Sequence, residues 1–220
     1  MAIGKQSKKK IKGIVETTEI KTKLPKKVKL DLIEEIEIPE GLSAEIDENM
    51  LTIRKGDKEN KRKINTLIEV KIEGNRIILS CKRNKKTERK MFGTNKAHIR
   101  NMIKGLTEGF TYKLAIANVH FPMNVSFDKG KNSLIVKNFL GERKDRIIKL
   151  VDGPEVRVNK DIIEITYHDI EKAGDCATKI EKGTKVRNKD RRIYQDGIFI
   201  TEKPGRIYLK WQIIKLKILN

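Results

Sequence analysis

Lys185, Arg187, Asn188, Lys189, Arg191 and Arg192 crowd one short stretch of the chain. Five flexible cations and an amide supply what a row of phosphates needs, which is positive charge with hydrogen-bond donors in reach. A second stretch repeats the chemistry with Lys137, Asn138, Arg143, Lys144 and Arg146 around Gly141. Arginine can fork onto a phosphate or a guanine edge, whereas lysine acts as a point charge. Lys96, Arg100 and Lys104 recur every four residues. A basic stripe opposite an apolar one is usually a solvated helix face, so these three rank lower.

The same residues argue against catalysis. His98, His120 and His168 do not cluster in sequence, and each reads as structural. No Ser/His/Asp or Cys/His arrangement and no glycine-rich phosphate loop is visible. Carboxylates such as Glu34, Glu35 and Glu37 alternate with apolar positions and read as a solvent face. Cys81 and Cys176 are isolated, with no CxxC spacing, which leaves no structural zinc site and fits a reducing compartment. No catalytic residue, cofactor or protein-held metal is expected, although magnesium carried by a bound nucleic acid is compatible with this reading.

The chain of 220 residues carries a formal net charge of +20. Such a surplus repels itself unless a polyanion neutralises it, so nucleic acid is the first partner and an anionic membrane surface the second. No apolar run approaches the roughly 20 residues that span a bilayer, and the lysine-rich start lacks the apolar segment of a secretory signal. Aromatics are only 5% of residues. Stacking on bases therefore cannot be the main mode of binding, and charge and shape recognition of a folded, double-helical nucleic acid is expected.

These loops need elements to hold them. Gly93 to Phe110 reads as an amphipathic helix, with Ile99, Met102, Ile103 and Leu106 on one stripe. Thr94 stands where an N-cap is wanted, and Gly105 or Gly109 can end the helix. Before it, alternating apolar residues mark strands around Ile36–Ile38, Ala44–Ile46, Leu51–Ile53, Ile68–Ile72 and Ile77–Leu79. Gly56 to Lys63 and Lys82 to Lys90 read as charged loops. After Gly109, strands are expected within 111–121, at Val125–Phe127, Leu134–Val136, Ile147–Leu150, Val156–Val158 and Ile162–Ile165. A helix follows through Ile170, Ala173, Ala177 and Ile180, capped by His168 or Asp169. Asp196-Gly197 then turns into a last strand, Ile198 to Thr201.

The two halves repeat. Leu51 follows Pro39 at the spacing at which Leu134 follows Pro122, and each half then has a basic patch, a hairpin turning at an asparagine and one terminal helix. The fold class is α+β, a tandem duplication of a small antiparallel or mixed sheet covered by one helix. The divisions are a basic arm (1–31), a first repeat (32–110), a second repeat (111–204), and a basic, apolar tail (205–220). The arm orders on a partner or is a disordered solubility tail. The tail, where Ile207, Leu209, Trp211 and Ile213 alternate, is expected to pair with a sheet edge or dock on a neighbour.

Asn101-Met102-Ile103-Lys104-Gly105 with Gly109-Phe110 resembles the signature of the universal large-subunit ribosomal protein six family. The closer type is the eukaryotic one, called protein nine. Phe121-Pro122-Met123-Asn124-Val125, Lys137 through Glu142, Val186 through Asp190 and Asp196-Gly197-Ile198 are similar to its second-half motifs, in order, across residues 32 to 204. The resemblance implies a tandem sheet-plus-helix fold and a non-enzymatic protein of the cytoplasmic ribosome, not a homo-oligomer. It implies binding to large-subunit ribosomal RNA mainly through the second repeat, near the sarcin–ricin loop and stalk base, beside neighbouring ribosomal proteins. The arm is longer than the family's usual start, and the tail is basic and apolar where the family's is short and polar. A free nucleic-acid-binding assembly or regulatory factor is the alternative, and an enzyme acting on nucleic acid a more distant one.

Overall fold

The computed structural model describes residues 32–81 and 85–208. The expectations for the arm and for the tail beyond Tyr208 lie outside those residues. The first half runs β1 (Leu32–Glu37), β2 (Ser43–Asp47), β3 (Met50–Lys55), β4 (Lys58–Lys63), β5 (Glu69–Glu73), β6 (Arg76–Cys81) and α1 (Lys86–Thr107). The second runs β7 (Phe110–Ala117), β8 (Asn124–Asp128), β9 (Ser133–Lys137), β10 (Arg146–Lys149), β11 (Glu155–Asn159), β12 (Ile162–Tyr167), α2 (Ile170–Gly183), β13 (Gly197–Lys203) and β14 (Arg206–Ile207).

Each half builds two sheets, where the periodicity suggested one. The first half pairs β1-β6-β5 and β2-β3-β4; the second pairs β11-β12-β7-β13-β14 and β10-β9-β8. All pairings are antiparallel. Strand for strand the orders match: β7 takes the place of β1, β8-β9-β10 that of β2-β3-β4, and β11-β12 that of β5-β6. The second half alone adds β13 and β14, on the side of β7 that β1 leaves open.

Each helix closes its own core. Ile99, Met102, Ile103 and Leu106 of α1 join Leu51, Ile53, Ile77 and Leu79 in one apolar cluster. Ala173, Cys176, Ala177 and Ile180 of α2 join Leu114, Leu134, Ile163 and Ile165 in another. The small side chains of α2 let its backbone approach the sheet closely. Burial pushes the Cys176 thiol up to about 11, so it packs as an inert small side chain.

Three local expectations change. Lys58–Lys63 is an edge strand, β4, not a loop: its residues are almost all polar, so the alternation of burial is invisible, while its backbone still pairs with β3. Helix α1 starts at Lys86, a residue after Lys85 at the cap, well before Gly93. Thr94 lies inside it and its hydroxyl donates back to the Lys90 carbonyl at 2.9 Å, as mid-helix threonines do. Gly109, with φ of +78°, ends α1, whereas Gly105 is a packing position. A methyl group at Gly105 would overlap the His168 carbonyl oxygen.

Gly105 thus lets α1 close on the start of α2, and a polar group finishes that junction. Arg62 of β4 donates to Glu171 Oε1 at 2.5 Å and to His98 Nε2 at 2.8 Å. With Nε2 accepting, the His98 proton sits on Nδ1, 3.6 Å from Glu171 Oε1. Burial, then the charge of Arg62, holds the His98 pKa below its ordinary value, so this contact joins a neutral ring to a carboxylate. The small cleft beside them, about 20 Å³ between Asn60, Asn101 and Asp169, has room for about one water.

Candidate nucleic-acid interface

The chain between α2 and β13 is fixed at both ends. Gly183 sits where a methyl group would come within 2.5 Å of Ile148 Cδ1, so a larger residue would have to displace the Ile148 side chain of β10. Thr184 is buried; its hydroxyl donates to the Ile180 carbonyl at 3.3 Å and accepts the Ile198 N–H at 3.1 Å. Val186 plugs into the second core. Further on, Asp190 folds a turn: its carboxylate accepts the Arg192 N–H and its carbonyl that of Tyr194, both at 2.9 Å.

Asp196 closes the loop. Its buried carboxylate accepts the N–H groups of Val119 and His120 at 2.8 Å and meets His120 Nδ1 at 2.6 Å. Burial pushes this carboxyl up, but the hydrogen bonds from His120 and from the Val119 and Phe121 amides outweigh it and hold the pKa below the usual range. Between these anchors Lys185, Arg187, Asn188, Lys189, Arg191 and Arg192 are all exposed. The chain cannot turn them inward without breaking the anchors.

The second stretch is a tight corner after β9. Asn138, Leu140 and Gly141 take left-handed conformations, with φ of 56°, 49° and 76°. A bulky residue rarely adopts that geometry, and here buried Phe139 and a side-chain bond from Asn138 Nδ2 to the Pro122 carbonyl (3.0 Å) hold it. Arg143 and Lys144 project from the corner into solvent. Lys137 is partly neutralised by Asp145 at 3.8 Å.

Arg146 does not present itself as a free cation. Its Nε donates to Glu142 Oε2 at 2.7 Å and its Nη2 to Glu142 Oε1 at 2.5 Å. Its Nη1 donates to the carbonyls of Gly183 (3.0 Å) and Lys185 (3.4 Å), and its guanidinium lies 3.9 Å above the Phe139 ring. Its donors are engaged in tying the corner to the end of α2, so its role in the fold is that of a bracket. The hydrogen bond from Arg146 holds the Glu142 carboxyl below the usual range, with a smaller contribution from the charge of Lys189.

Two stretches some forty residues apart in sequence therefore form one surface, joined through Arg146. Among the described residues, Arg143, Lys144, Lys185, Arg187, Arg191 and Arg192 have no carboxylate partner. Lys189 lies over the Tyr194 ring at 4.4 Å, which leaves its charge in solvent. The basic ridge of α1 is different: Lys96 and Arg100 share Glu34, and Lys104 meets Glu108 at 3.7 Å. Sequence reading missed Thr184 and Asp196 as anchors. Asp196 carried only a turn signal, and Thr184 none.

Among the described residues no cluster of His, Cys, Asp and Glu could hold a metal ion, and no helix is long and apolar enough to cross a membrane. The family model for ribosomal protein L6 matches residues 38–109. Over 175 residues the chain is 43% identical to the large ribosomal subunit protein uL6 of Methanococcus vannielii, covering 79% of this chain and 95% of that protein. It is 38% identical over 171 residues to uL6 of Methanobrevibacter smithii, covering 77% and 95%. With uL6 of Methanothrix thermoacetophila it shares 37% over 174 residues, covering 79% and 98%. Two α+β halves of matching strand order, the second bearing a basic surface, define a tandemly duplicated sheet-plus-helix protein. The chain belongs to the uL6 family of large ribosomal subunit proteins.

Proposed function

We propose that this chain is a permanent structural constituent of the large ribosomal subunit in the cytoplasm, and that it grips ribosomal RNA with the two joined loops of its second half. One observation carries this: two stretches remote in sequence share a surface on which Arg143, Lys144, Lys185, Arg187, Arg191 and Arg192 lack carboxylate partners among the described residues, and whose backbone is anchored. Placing a cation where a phosphate will be loses less entropy when the loop is already ordered. The contacts position RNA helices through their phosphates; they transform nothing. RNA-bound magnesium is the only ion this reading needs.

The family resemblance supports a finer placement, beside the sarcin–ricin loop and the base of the stalk, with neighbouring ribosomal proteins as further contacts and no self-association. The test is a salt titration of the full chain against a large-subunit RNA fragment from that region. Changing Arg187, Lys189 and Arg192 together to Ala is expected to flatten the dependence of log K on log salt by roughly 2–3, since each phosphate neutralised contributes about 0.7–0.9. The same treatment of Lys8, Lys9 and Lys10 is expected to do less. A wild-type slope in the loop variant with a flattened slope in the arm variant would move the site to the arm. A free regulatory factor would leave ribosomes in moderate salt; a structural component sediments with the large subunit.

A further inference from the structure

Phe121 is an exposed aromatic at the seam of the two basic loops, with 42% of its surface in solvent. Its position is built, not incidental. Asp196 fixes the backbone leading into it through the Val119 and His120 amides, and the Phe121 N–H also points at Asp196 Oδ1 at 3.5 Å. The carbonyl of the next residue, Pro122, accepts from Asn138, which ties the same segment to the other loop. The ring itself lies against the Gly141 corner, where a methyl group on Gly141 would sit 3.7 Å from ring atoms Cε1 and Cζ. One edge of the ring is thus backed by backbone while much of its surface stays open. Arg143 and Lys144 stand two and three residues after Gly141, beyond Glu142, and are exposed. Tyr194, the aromatic of the other loop, is half-buried and already engaged by His120 at 5.1 Å and Lys189 at 4.4 Å.

A fixed, open ring flanked by unpartnered cations is poorly suited to a base-paired helix, whose bases are sandwiched in the stack. It suits one unstacked base, because every base has a π-face and the neighbouring cations hold the phosphates on either side. We propose that the Phe121 ring is a stacking platform for a single unpaired nucleobase, so that the bound RNA carries a bulge or loop nucleotide at the seam. This rests on the RNA-binding reading above and adds a local shape requirement to it. The low aromatic content remains consistent: charge supplies most of the affinity and one ring reads one unpaired position.

The experiment compares Phe121→Leu, Phe121→Ala and Phe121→Trp in the full chain, titrated against purified large-subunit ribosomal RNA at several salt concentrations. The Leu and Ala variants are expected to bind about ten-fold more weakly with an unchanged salt slope, and Trp to restore affinity. Leu binding as well as Phe would mean that any apolar group serves, and would overturn the platform. Because a core defect could also weaken binding, a photo-crosslinking benzophenylalanine at position 121 provides a second measurement. Crosslinks mapping to one unpaired nucleotide support the proposal; crosslinks confined to base-paired segments or to a neighbouring protein overturn it. The triple cation variant is run in parallel. If it too keeps wild-type affinity and slope, the RNA surface itself lies elsewhere and the broader reading falls with it.

Discussion

The two halves carry nearly the same charge and pair it to different extents. Residues 32–110 hold 17 Lys and Arg against 13 Asp and Glu, and residues 111–204 hold 19 against 14. In the first half the carboxylates lie beside the cations: Arg54 meets Glu45 and Glu59, Arg76 meets Glu35 and Glu37, and Glu34 takes both Lys96 and Arg100. In the second half Arg143, Lys144, Lys185, Arg187, Arg191 and Arg192 stand clear of them, while Lys137 meets Asp145 and Arg146 meets Glu142. Exposed ion pairs add little stability, so the first pattern is chiefly neutralisation. The contrast teaches that net charge alone does not say which cations are free of carboxylates; the tertiary arrangement does.

Two arginines show the same contrast in detail. Arg62 on β4 and Arg146 on β10 occupy matching strands of the duplication. Arg62 reaches across to Glu171 and so joins the halves; Arg146 stays within the second half and joins two loops. The registers differ, since Arg62 stands opposite Leu51 and Arg146 opposite Val136, so each copy places its arginine at a different point of the strand.

The sharpest way to break the comparison is to neutralise matched sets of cations. Changing Lys96, Arg100 and Lys104 to Ala is expected to leave the salt slope for RNA almost unchanged, against the roughly 2–3 expected for the Arg187, Lys189 and Arg192 set. Equal slopes from the two triple variants would show that intramolecular pairing does not decide the site. The next effect concerns the two cores. Ile180 in α2 is 0% exposed and Ile103 in α1 is 8% exposed. Truncation to Ala is expected to cost about 2–5 kcal/mol at each, with the larger loss at Ile180, in denaturant melts of the full chain. An unchanged melt for either would remove it from the core.

A smaller effect separates bracket from ligand. Arg146→Ala removes the partner of Glu142 and of the Gly183 carbonyl and is expected to cost about 1–3 kcal/mol. Its salt slope should fall by less than that of any single loop arginine, and a full unit of slope lost would reassign Arg146 to direct phosphate contact. The smallest effect is a pH dependence at the junction of the halves. His98 has a folded pKa below its ordinary value, so the unfolded chain binds the extra proton first as the pH drops. Its contribution is therefore present in full above about pH 6.5 and declines below that, toward the depressed folded value. Melts at pH 7 and pH 5 should show the decline, and His98→Gln should reduce it; a decline unaltered by His98→Gln would place the titration on other groups.

Much of this architecture was legible because periodicity reports burial. The alternation of Ile77 and Leu79, or of Leu134 and Val136, marks strands with one face on a core, and the α1 stripe marks a helix over a sheet. Where burial does not alternate, the signal fails: β4 is held by backbone bonds that side chains do not advertise, and Gly93, read as a boundary, lies inside a helix held by its neighbours' packing. The lengths of the repeat and the identity of the cation-bearing stretches were likewise fixed by residue order alone.

Tertiary structure decided which of those cations are available. Residue order cannot say that Arg146 is engaged by Glu142 and Gly183 while Arg143, three residues earlier, is not, because the difference depends on where α2 ends relative to β10. Nor can it say that Asp196 gathers the amides of Val119 and His120 and so brings Phe121 to the seam of two loops. Hydrophobic patterning is a local property repeated along the chain, whereas ion pairing and anchoring are short-range in space and long-range in sequence. The sequence by itself determined the duplicated fold and its surplus of charge; only the folded chain sorted that charge into pairs that hold the protein and cations left without carboxylate partners.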